Sequence, residues 1–205
     1  NRFTPVVLTA TPSALERNRG DVFILSQRSR EEALKVYKYD MNSKSSEMLF
    51  SFPQKSNLAS YLSVSAQYIA AIDMDNNNIK LYNRRPASVS TKQLSGLKVI
   101  CNLLLLPDGC LLVTGDDNVK NMLNKYSRVS EDEEPVLIWS CDQVPDACGV
   151  AVDERGLIYV SGLKNKTLYI LSAEGKYNTI KITVIIYSVL IMINHKILIL
   201  KKCDQ

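Results

Sequence analysis

The chain repeats one phrase four times: a glycine or turn residue, a short apolar run, a polar loop and a second β-rich run. The copies begin Gly20-Asp21-Val22-Phe23-Ile24-Leu25, Gln67-Tyr68-Ile69-Ala70-Ala71-Ile72, Gly109-Cys110-Leu111-Leu112-Val113 and Gly156-Leu157-Ile158-Tyr159-Val160. Their anchors at 20, 67, 109 and 156 lie 47, 42 and 47 residues apart. A period of about 40–50 residues built from strands marks a propeller array, in which each unit is a small sheet stacked on its neighbours. The expected fold class is therefore all-β: a β-propeller of four-stranded antiparallel blades, with about four blades present.

The fourth copy shows the unit most clearly. Strands are expected over 149–153, 157–161, 167–172 and 177–182, with Gly156 and Gly175 supplying turns that favour positive φ. The second copy reads as strands 62–65, 68–72, 78–83 and 91–94. The third reads as 103–106, 110–114, 122–127 and 136–141, and the first as 13–16, 22–26, 34–39 and 47–52. Residues 28–33 form an enlarged loop, because Val36-Tyr37-Lys38-Tyr39 favours the pleat over a helix. Phe3 to Leu8 reads as a spare strand from a preceding unit. Propellers close with about four to eight blades, so four units and a spare strand point to an incomplete ring.

Composition narrows the function classes. The chain carries 25 basic and 21 acidic residues, a net charge of +4, too small a surplus to argue for nucleic acid by itself. Its five cysteines form no C-x-x-C pair and it has a single histidine, His195, which speaks against a Cys/His metal site. Reduced core thiols and the lack of a secretory signal predict a cytoplasmic protein. The chain opens on Asn1 rather than methionine and is expected to be a fragment. The sequon Asn165-Lys166-Thr167 suits a turn.

The stretch from Pro145 to Val160, with Asn165 before Thr167-Leu168-Tyr169-Ile170 and the Glu174-Gly175 turn, resembles an NHL repeat. The resemblance covers residues 13–182 and is strongest in this last unit. It implies a propeller that is usually six-bladed, like the C-terminal domain of animal tripartite-motif proteins, which are RING-type E3 ubiquitin ligases. It implies a partner- or substrate-recognition role, in some members RNA binding. The acidic residue usual after the second strand is Asp73 in the second copy and Asp116 in the third, but Gly162 stands there in the fourth. No RING, B-box or coiled-coil pattern is present, so ligase chemistry would belong to other sequence.

The domain reading is blades over 1–182 and an anomalous tail over 183–205. From Ile180 to Leu200 the chain is almost wholly Ile, Leu, Val, Lys, Asn and Tyr. Three readings stand: intron read-through, two buried strands (183–193 and 196–201) joined at Asn194-His195, or a membrane anchor. The charge-free run 182–195 is shorter than the roughly 20 residues a spanning helix needs.

Catalysis finds little support, since a nucleophile–histidine site would need His195 in the tail. Asp108, Asp116, Asp117, Asp153 and Glu154 sit at turns or strand ends, where such side chains bond the local backbone. An alternative is a calcium-dependent hydrolase resembling gluconolactonases, with oxygen donors drawn from Asp73, Asp75, Asn76, Asn77, Asp116, Asp117 and Asn118. The preferred reading is non-enzymatic, with no metal or cofactor and no membrane partner. Loops joining second to third strands, with those joining successive blades, are expected on one rim bearing charges of both signs. Its partner-binding candidates are Arg28, Arg30, Asn76, Asn77, Asp116, Lys120, Lys164 and Asn165. Mixed charge without loop aromatics favours a protein partner, including a ubiquitination substrate, with RNA as the alternative. Arg84-Arg85 is expected in a solvated turn on the opposite rim, and Glu131-Asp132-Glu133-Glu134 in a solvated loop. Tyr82, Tyr126, Trp139 and Tyr169 are expected to pack between blades.

Overall fold

A computed structural model describes residues 5–12, 20–26, 33–53, 61–162, 167–183, 189–193 and 196–200. Side chains are described within 22–26, 33–53, 61–162 and 167–176. The repeat folds as four four-stranded antiparallel sheets in consecutive order. The first holds β1 (Pro5–Pro12), β2 (Gly20–Ser26), β3 (Leu34–Asp40) and β4 (Ser45–Phe52). The second holds β5 (Leu62–Val64), β6 (Tyr68–Asp73), β7 (Asn78–Arg84) and β8 (Ala87–Lys92). The third runs β9 (Val99–Leu105), β10 (Leu111–Asp116), β11 (Asn121–Tyr126) and β12 (Leu137–Cys141). The fourth runs β13 (Ala147–Val152), β14 (Ile158–Gly162), β15 (Thr167–Leu171) and β16 (Tyr177–Thr183). All four repeats thus close as units, as the period requires.

Two details correct the sequence expectation. The spare strand is no remnant: Pro5–Pro12 is the first strand of the first sheet, pairing with β2 from Leu8↔Ile24 to Pro12↔Gly20. The expected strand at 13–16 lies outside the described residues. Proline is tolerated at these positions because both stand at the ends of an edge strand. The fourth strand of the second sheet lies earlier than expected, at Ala87–Lys92, because the chain turns back directly after Arg84 and pairs Arg84↔Ala87.

Burial falls from the second strand to the fourth. Every residue of β6 and β14 is buried, whereas β8 alternates exposed and half-buried before ending on buried Lys92. A strand covered on both faces reads as a continuous apolar run, which is why Tyr68-Ile69-Ala70-Ala71-Ile72 carries no alternation. Turn chemistry holds as well: Gly156 and Gly175 have φ of +81° and +74°, a region costly for any residue with a Cβ.

The chain divides into two compact units, one of residues 1–93, 105–109 and 130–134, the other of 94–104, 110–129 and 135–205. In the first unit Phe23, Leu25, Leu34, Val36, Phe50 and Phe52 of the first sheet pack with Leu62, Ile69 and Ala71 of the second. Tyr82 joins them, its ring stacked on Phe50 at 5.3 Å, so the expected inter-blade role of this tyrosine is observed. In the second unit Trp139 of β12 lies against Gly175 of the fourth sheet, where a Cβ would stand 2.8 Å from the indole. Tyr126 is fully buried, but its hydroxyl donates to the Ser95 carbonyl at 2.7 Å, in the segment leading into its own sheet. Tyr169 is buried in β15.

In the tail, β17 (Val189–Ile193) and β18 (Lys196–Leu200) pair as an antiparallel two-stranded sheet, from Val189↔Leu200 to Ile193↔Lys196. β17 lies beside β13. Asn194 and His195 lie outside the described residues. No helix of the described residues is long and apolar enough to cross a membrane.

Candidate functional site

The loops between second and third strands are built by aspartates that fold the backbone around themselves. In the second sheet Asp73↔Asn78 closes the β6–β7 connection over residues 74–77. The Asp73 carboxylate accepts the Asn76 backbone N–H at 3.2 Å and the Asn76 side-chain amide at 2.9 Å, and pairs with Lys80 at 3.4 Å. Asn77 takes φ +48°, a left-handed conformation that asparagine tolerates well. The third sheet repeats the plan, with Asp116↔Asn121 closing residues 117–120. Asp116 accepts from the Asn118 N–H, and Asp117 Oδ1 accepts from the N–H groups of Val119 and Lys120 at 2.8 and 2.9 Å. These N–H donors, that of Lys120 foremost, hold the Asp117 carboxyl below its usual range. Lys120 then pairs with Asp142, which raises the lysine and lowers the aspartate. At the tip, Val119 is 86% exposed.

Asp153 does similar work in the fourth sheet, in the turn between its first and second strands, β13 and β14. It accepts the Arg155 and Leu157 N–H groups at 2.9 Å each and the Tyr159 hydroxyl at 3.1 Å. Burial pushes this carboxyl upward, but the Leu157, Tyr159 and Arg155 donors together outweigh it, so the group titrates below its ordinary 3.8. The reading of the turn carboxylates as backbone-bonding residues therefore fits Asp116, Asp117 and Asp153, and Asp73, first weighed as an oxygen donor for calcium, behaves in the same way. Among the described residues no group of three or more His, Cys, Asp or Glu side chains is placed to hold a metal ion.

Of the sequence candidates, Asn76 and Asn77 stand in the β6–β7 loop of the first unit. Asp116 ends β10 and Lys120 sits in the β10–β11 loop of the second unit. Each loop thus brings its own pair together. Arg28, Arg30, Lys164 and Asn165 lie outside the described residues.

Two expectations are corrected. Arg84 is not a solvated turn residue: its guanidinium donates to the Ala66 carbonyl at 3.1 Å and lies over the Phe23 ring at 5.4 Å. The acidic run is solvated at Asp132, Glu133 and Glu134, as expected, but it is tied down and not free. Glu131 accepts from Asn83 Nδ2 at 2.6 Å and from the Ser88 hydroxyl, while its carbonyl accepts from Lys92 Nζ at 2.6 Å. Glu134 accepts from the Gln93 N–H at 2.8 Å. Residues 130–134 thereby form a strap along β8, the outer strand of the second sheet. Ser88 and Lys92 carry no sequence mark that would have paired them with an acidic run some forty residues on, since the contact is tertiary. A second missed surface is the outer edge of the third sheet, where Val136 and Ile138 are 66% and 54% exposed.

No family model matches the chain, and no curated protein does. Solved structures do. The β-propeller domain of Cps50 (Swd1) from Myceliophteria thermophila superposes with a TM-score of 0.56 at 12% identity, over 85% of this chain and 59% of that one. Virginiamycin B lyase from Staphylococcus aureus gives 0.58 at 10% identity, over 88% and 58%. A protein of unknown function from Bacteroides caccae gives 0.51 at 12% identity, over 78% and 58%. The chain thus spans less than three fifths of the length of these structures. At such identities the likeness carries the architecture alone, and with the four-stranded antiparallel sheets it makes this an all-β chain of β-propeller fold.

Proposed function

We propose that the chain is a non-catalytic recognition propeller that holds a protein partner on the loops joining the second and third strands of its blades. The observation that carries this reading is the β10–β11 loop. Val119 is presented at 86% exposure on a turn braced by Asp117, beside the Lys120–Asp142 pair. An apolar anchor on a rigid support, ringed by polar groups, is the composition of a protein contact. The turn aspartates spend their oxygens on backbone N–H groups, which supports a structural role over an acid–base one. Pairing of Lys120 with Asp142 likewise weakens the case for phosphate binding at this loop.

The resemblance to NHL repeats extends the proposal. The chain would be the recognition part of a RING-type ubiquitin ligase in the cytoplasm, its partner a ubiquitination substrate. The tail hairpin, by this reading, is an addition to the propeller rather than an anchor.

The test is affinity capture with the chain as bait, wild type against Val119→Glu. The expected result is a partner whose capture falls at least tenfold in the variant while the melting temperature stays unchanged. Equal capture by both would remove the loop from the interface. A salt-sensitive shift of short single-stranded RNA would put the RNA reading in its place. A calcium-dependent rise in melting temperature with lactone turnover would make the chain an enzyme.

A further inference from the structure

The strap along β8 has one contact that chemistry can switch. Ser88 stands half-buried on this outer strand, and its hydroxyl proton is directed at the Glu131 carboxylate. Three residues earlier, Arg85 is exposed, as are Pro86 and Ala87 between them. Arg84, by contrast, is occupied by the Ser65 and Ala66 carbonyls. A serine on an outermost strand with an exposed arginine three residues before it and exposed Val89 after it is the charge pattern that arginine-directed protein kinases read.

We propose that Ser88 is a phosphorylation site and that its ester releases the 130–134 strap from the outer edge of the second blade. This goes beyond the recognition role and does not depend on it. In the step, Ser88 Oγ forms a bond to the γ-phosphorus of a nucleoside triphosphate as the bond to the β,γ-bridging oxygen breaks. The hydroxyl proton passes to the kinase's base, and the nucleoside diphosphate leaves. The product has no hydroxyl proton to give Glu131 and carries about −1.5 to −2 charges against it. Glu131 opposes that charge as an anion, since a carboxyl of ordinary 4.5 is ionised near neutral pH and Asn83 Nδ2 still donates to it. Lys92, whose ammonium now donates to the Glu131 carbonyl, lies on the same strand as Ser88 and has an opposite charge to offer the phosphate. Both effects turn the strap from held to repelled.

The strap engages the hydroxyl that the kinase must reach, so a larger population with the strap open raises the rate of modification. The full chain is incubated with ATP and an arginine-directed serine/threonine kinase, and followed by mass spectrometry and amide hydrogen exchange. Phosphate is expected on Ser88 and lost in Ser88→Ala. Arg85→Ala is expected to lower the initial rate at least tenfold, and Glu131→Gln to raise it at least threefold. Phosphorylation is expected to speed exchange in 130–134 at least tenfold. Absence of phosphate on Ser88 even in Glu131→Gln would overturn the site. Unchanged exchange at 130–134 in the phosphorylated chain would overturn the release.

Discussion

The outer strands of the second and third blades, β8 and β12, hold the same place in their sheets and are finished in different ways. β8 reads Ala87-Ser88-Val89-Ser90-Thr91-Lys92, and its polar groups meet the strap: Ser88 and Lys92 bond Glu131, and Gln93 just beyond bonds Glu134. β12 reads Leu137-Ile138-Trp139-Ser140-Cys141 and leaves Ile138 54% exposed beside Val136 at 66%. An outer strand is a row of unpaired backbone groups, and a protein must cover it, charge it or use it. The second blade covers its edge, with a segment that belongs by sequence to the third repeat. The third blade leaves apolar surface there, an interaction surface or an aggregation hazard.

The comparison breaks first at the inner strands. Leu81 on β7 and Leu123 on β11 are both essentially unexposed beneath the two edges. Each, changed to alanine, is expected to cost about 3 kcal/mol in urea unfolding. A loss below about 1 kcal/mol in one alone would show that the blades differ in their cores and not only at their edges.

Next comes the packing behind β12. At Gly175, φ is +74° and an added Cβ would stand 2.8 Å from the Trp139 ring, so Gly175→Ala is expected to lose roughly 2 kcal/mol or more. At Gly156, φ is +81° but the nearest atom is 3.6 Å away, so Gly156→Ala should show only the backbone cost of about 1 kcal/mol. Equal losses would mean that Trp139 moves aside freely.

The strap supplies a pH signature in the acid range. The depressed Glu131 carboxyl favours the strapped state above its ordinary 4.5, and that contribution disappears as pH falls through the lower folded value. Amide exchange at 130–134, corrected for its intrinsic pH dependence, should rise on acidification. In Glu131→Gln it should stay flat, and a parallel rise there would assign the effect to another group.

The smallest effect tests the bare edge. Val136→Lys with Ile138→Lys should change stability by no more than about 0.5 kcal/mol, since both side chains are exposed. Self-association measured by light scattering should fall. An unchanged scattering profile would show that the apolar edge does not associate in solution.

How legible these features were follows from the range of the interactions behind them. The β-rich runs around Tyr68–Ile72, Leu111–Val113 and Ile158–Val160 announced buried second strands, because continuous apolar runs report strands covered on both faces. The turn aspartates were legible for a similar reason: Asp117 and Asp153 bond N–H groups two to four residues on. The Glu131 strap was not, since Ser88 and Glu131 lie 43 residues apart. The loop position of Val119 was legible from the polar run Asp116-Asp117-Asn118 before it, but how far its side chain stands out of the fold was not.

The sequence by itself determined the period, the strand order within each blade and the turns, because those depend on alternation, glycine φ and short-range bonds. Only the tertiary structure decided which outer strand is covered, where Arg84 goes and which loop side chain stands free of the core. Those outcomes depend on groups distant in the chain meeting across space, and a single sequence encodes them in no local pattern.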